Sequence, residues 1–77
     1  MNMDAVEELV RKGEKFLENA QYQEALSCFE QAILLDNNNP ELWNFKAVSL
    51  RSMGRYEEAL ESFNKSLEID PRDKDAS

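Results

Sequence analysis

The sequence predicts an all-α protein, a short α-solenoid of two stacked helix hairpins, on three observations. The 77-residue chain repeats itself once at a spacing of 34 residues. Its apolar residues recur at helical spacing in both copies, and no segment alternates with the period of two that marks a strand. Sliding residues 6–39 onto 40–73 without a gap pairs Glu7 with Glu41, Lys12 with Lys46, Tyr22 with Tyr56 and Glu24 with Glu58. The same shift pairs Ala25 with Ala59, Leu26 with Leu60, Phe29 with Phe63 and Asp36 with Asp70. Conservative pairs lie between them: Leu9/Trp43, Gly13/Ala47, Phe16/Leu50, Ile33/Leu67 and Leu35/Ile69. Periods of roughly 20–50 residues belong to architectures in which each unit buries its apolar face against its neighbours. One domain over residues 1–77 is expected, with repeat one at 6–39, repeat two at 40–73 and a frayed polar tail at 72–77.

The elements follow in order. The first helix carries Leu9, Gly13 and Phe16 on one face, and Asp4 with Glu7 three residues later resembles a capping box ahead of it. Asn19 or Ala20 must then take the left-handed turn that ends it. In the second helix Tyr22, Ala25, Leu26, Phe29, Ala32 and Ile33 recur at i, i+3, i+4, i+7, i+10 and i+11. Asn39 followed by Pro40 makes an N-cap and first-turn pair for the third helix, whose stripe is Trp43, Ala47 and Leu50. Gly54 suits the left-handed turn after it. The fourth helix repeats the second with Tyr56, Ala59, Leu60, Phe63, Ser66 and Leu67, and Pro71 stops it. Small residues at Gly13, Ala47, Ala25 and Ala59 let helices approach closely while Phe29, Phe63 and Trp43 fill the gaps. Cys28, beside the stripe, reads as a small packing residue.

Composition narrows the function classes. Sixteen acids against nine bases leave a net charge of −7, which opposes nucleic acid and anionic membrane surfaces as partners. No apolar run reaches the roughly 18–20 residues of a membrane span, and the start lacks the layout of a signal peptide. The lone Cys28 points to a reducing compartment, so a cytoplasmic location is expected. With no histidine, one cysteine and no glycine-rich phosphate loop, the chain offers no nucleophile–base pair, no zinc site and no cofactor motif. Paired glutamates such as Glu57 and Glu61 lie on helix surfaces, without the desolvated cleft that acid–base work needs. No catalytic residue, metal or cofactor is expected.

The motif Leu9-x2-Lys12-Gly13-x2-Phe16, followed by Ala25-x3-Phe29, resembles the tetratricopeptide repeat, as does Trp43-x2-Lys46-Ala47-x2-Leu50 with Ala59-x3-Phe63 and Pro71. The chain departs from that pattern at Lys12, Lys46, Leu50 and Asn37. The resemblance implies antiparallel helix pairs in a right-handed superhelix, a concave groove lined by the first helix of each pair, and a protein or peptide as partner. Groove positions implied by it fall on Glu7, Val10, Glu14, Leu17 and Glu18 in repeat one and on Glu41, Asn44, Val48, Arg51 and Ser52 in repeat two, with Phe45 beside them. Family members that grip a chaperone's C-terminal carboxylate use Lys and Asn where this chain has Val10, Glu14 and Phe45. A chaperone carboxylate ligand is therefore not expected.

Three readings of function stay open on the sequence. The first is a non-catalytic interaction scaffold that holds a peptide or helix in the groove. The second is a self-assembly module: the fourth helix should expose part of its stripe around Leu60, Phe63 and Leu67, and a homodimer would cover it. The third is the docking part of a larger enzyme or regulatory protein. Val10, Leu17, Phe45 and Val48 also have a plainer reading, as packing between neighbouring first helices or as scattered surface apolar residues that need no explanation. The acidic second helices, with Glu24, Glu30, Glu57, Glu58, Glu61 and Glu68 against Lys65, read as a solvated outer face.

Overall fold

The protein is seen in a computed structural model that describes residues 3–71. These form four helices: α1 (Met3–Glu18), α2 (Tyr22–Leu35), α3 (Pro40–Ser52) and α4 (Tyr56–Ile69). Each packs chiefly on the next, α1 on α2, α2 on α3 and α3 on α4, as stacked hairpins require. No strand occurs among the described residues. The expected tail, Arg72 to Ser77, lies outside them.

Local chemistry accounts for the helix ends. The side-chain oxygen of Asn39 accepts from the Glu41 amide at 3.1 Å, and its amide donates to the Asp36 carboxylate at 3.2 Å, so one residue caps α3 and ties it to the preceding turn. Both hairpins turn the same way. The Gln21 amide donates to the Phe16 carbonyl at 2.8 Å and the Arg55 amide to the Leu50 carbonyl at 2.9 Å, the long bond of a Schellman turn. The residue that must adopt positive φ is Ala20 in the first turn (φ 60°) and Gly54 in the second (φ 79°), so of the two choices in repeat one it is Ala20. Asp4 does not cap α1. The helix already includes Met3, and Asp4 stands in its first turn, where a carboxylate complements the positive end of the helix dipole.

The core follows the predicted stripe in α2, whereas Val6, Leu42 and Ser49, outside the stripes, are buried and Tyr56 and Leu60, inside one, are exposed. Ala25, Phe29, Ala32 and Ala47 are fully buried, and Gly13 is buried among them. A Cβ on Gly13 would lie 2.6 Å from two carbons of the Phe29 ring, so this close approach admits only glycine as the ring stands. One cluster joins Val6, Ala32, Ile33 and Leu42 across α1, α2 and α3; a second joins Leu26, Leu50 and Ala59 across α2, α3 and α4. Repeat one is therefore closed by repeat two. Cys28 is buried with a free thiol. Among the described residues no buried side-chain polar atom lacks a partner; the buried Ser49 hydroxyl, for example, donates to the Phe45 carbonyl at 3.0 Å.

Candidate functional site

Two clefts flank α3, and they receive the expected groove residues in different ways. The first lies between the N-terminal halves of α1 and α3. It has a volume of about 540 Å³ and is lined by Val6, Glu7, Val10, Arg11, Asn39, Glu41 and Leu42. Helical spacing builds it: Val6 and Val10 are four residues apart on α1, so they share a face and form an apolar floor with Leu42. Glu7 and Arg11, also four apart, form a mixed-charge wall, with Glu41 opposite on α3. Val6 and Leu42 are largely buried in the core cluster, and Val10 packs against it while still lining the cleft.

The second cleft, of about 340 Å³, lies between α3 and α4 and includes Asn44, Phe63 and Leu67, with Glu41 on the edge that the two clefts share. The residues expected in one groove thus divide. Val10 lines the first cleft, and Asn44 lines the second. Arg51 is exposed, and its guanidinium carbon sits 5.9 Å from the centre of the Phe63 ring, so it belongs with the second cleft as well. Glu14 is exposed, and Leu17 and Val48 are half-buried. Phe45 stacks face to face on Phe29, with ring centres 4.8 Å apart and planes 7° from parallel. That ring packs on α2, the second helix of the preceding repeat.

The spacing of 34 explains the division. Under that shift Val10 corresponds to Asn44 and Leu17 to Arg51. In repeat one the Val10 side meets α3 residues; in repeat two the same side of α3 meets no further repeat within residues 3–71. Val6, Asn39 and Leu42, which the sequence reading left out of the groove, line it because of tertiary packing. The available signal was Val6 lying one helical turn before Val10.

The charged groups around the first cleft, Glu7, Arg11 and Glu41, are exposed. A hydrogen-bonded ion pair lies at the start of α4. Arg55 donates to both carboxylate oxygens of Glu58, at 2.9 and 2.8 Å, which holds the Glu58 carboxyl below its usual range and raises Arg55. Trp43, which lines a depression together with Glu58, donates its indole N–H to the Asn37 carbonyl at 2.9 Å, with the ammonium groups of Lys46 and Lys65 at 5.4 and 5.9 Å from its ring. Among the described residues no three His, Cys, Asp or Glu gather to hold a metal ion. None of the described helices is long and apolar enough to cross a membrane.

Comparison with known proteins agrees with this architecture. Family models described as tetratricopeptide repeat match residues 9–39 and 40–73. An uncharacterised protein of Methanocaldococcus jannaschii is 35% identical over 69 residues, which are 90% of this chain and 80% of that protein. The Hsp70-Hsp90 organising protein of Plasmodium falciparum is 33% identical over 69 residues, 90% of this chain and 27% of its own. The STIP1 homolog of Dictyostelium discoideum is 31% identical over 70 residues, 91% of this chain. This chain spans only 12% of that last protein.

Proposed function

This chain belongs to the tetratricopeptide repeat family, and on that premise we propose that it is a non-catalytic protein-interaction module. Its ligand is a peptide or helix segment bearing apolar and basic side chains, held on the concave side along α1 and α3. The observation that carries the reading is the first cleft: an apolar floor of Val6, Val10 and Leu42 under a rim of two acids, Glu7 and Glu41, and one base, Arg11. An apolar floor supplies area, whereas rim charges supply selection and register. The acids favour Lys or Arg on the ligand. They also disfavour a free carboxylate, which agrees with Val10, Glu14 and Phe45 standing at the positions where carboxylate-gripping relatives carry Lys and Asn.

The test is a selection of phage-displayed random peptides on the immobilised chain, with calorimetry on those enriched. Enriched peptides should combine apolar residues with Lys or Arg. Val10→Asp should weaken their binding at least tenfold, and so should Glu7→Lys. Enrichment of acid-terminated peptides, or binding indifferent to both substitutions, would overturn the reading.

A further inference from the structure

We draw no further inference here: the strongest candidate, the cleft between α3 and α4 lined by Asn44, Phe63 and Leu67, belongs to the open apolar face at the end of the stack, and nothing in the structure shows what covers it.

Discussion

Replacing Gly13 with alanine sets two effects of similar size against each other. Gly13 lies inside α1, where alanine is intrinsically better by about 0.8–1 kcal/mol. Its Cβ, however, would stand 2.6 Å from Cε1 and Cζ of Phe29. Carbon contacts are comfortable at about 3.5–4 Å, so the ring would have to move by about 1 Å. Phe29 is fully buried, and Phe45 lies flat on it at 4.8 Å, which leaves little room to retreat. Overpacking of this kind costs about 1–3 kcal/mol. With the helix gain subtracted, a net loss of about 0–2 kcal/mol follows, and because the ring is held on its far side the upper half of that range is expected, about 4–15 °C in Tm for a domain of this size.

A double-mutant cycle separates the two effects. Phe45→Ala removes the ring that holds Phe29, so Gly13→Ala should cost about 1 kcal/mol less in that background and approach neutrality. Urea and thermal unfolding followed by circular dichroism, at one fixed protein concentration, supply the four free energies. Repeat two shows the alternative solution. Ala47 takes the place of Gly13, and its partner Phe63 is only partly buried, with the Arg51 side chain over it in place of a second ring. If Gly13→Ala raised Tm, or cost as much with Phe45 removed as with it present, the claim that Phe29 is held between the two sites would be wrong.

Two further outcomes are expected. Ala20 and Gly54 occupy the same positive-φ turn position, and no atom lies within 4 Å of a Cβ built on Gly54, so exchanges there act on the backbone alone. Ala20→Gly should stabilise by about 0.5–1 kcal/mol, because relief of the left-handed strain outweighs the added entropy of the unfolded chain, and Gly54→Ala should destabilise by about the same amount; opposite signs in the urea midpoints would contradict the turn assignment. The hydrogen bonds from Arg55 lower the pKa of Glu58, so the pair supports folding above the ordinary carboxylate range and that support is lost as pH falls through the lowered Glu58 value. Both groups are exposed, so the effect is small, and Glu58→Gln should flatten the acid side of the stability profile without altering its shape above neutral pH.

Most of the fold was legible because its causes are local. Helical spacing named the buried faces, and Asn39-Pro40 and Gly54 named two helix boundaries from short-range chemistry alone. The Asp4 cap failed for an equally local reason: Asp4 lies inside the first turn of α1, which already includes Met3. The site was less legible, since a residue's use depends on which neighbour covers it. Phe45 looks like a groove aromatic until its counterpart Arg11 is noticed; an apolar residue with a charged counterpart is one that only the second repeat needs, to dock on the first. Asn44 and Arg51 follow the converse rule, being polar where their counterparts in repeat one are covered.

Matches at the 34-residue shift therefore report the hairpin, and mismatches report what lies against it. Charged residues in α1 at the α3 docking positions close one end of the stack. On α4, Tyr56 and Leu60 are exposed where α3 covers the matching stripe of α2, because the docking that buries a second helix comes from the first helix of the following repeat. The same residue types thus end up buried in α2 and exposed in α4, and only the neighbour differs.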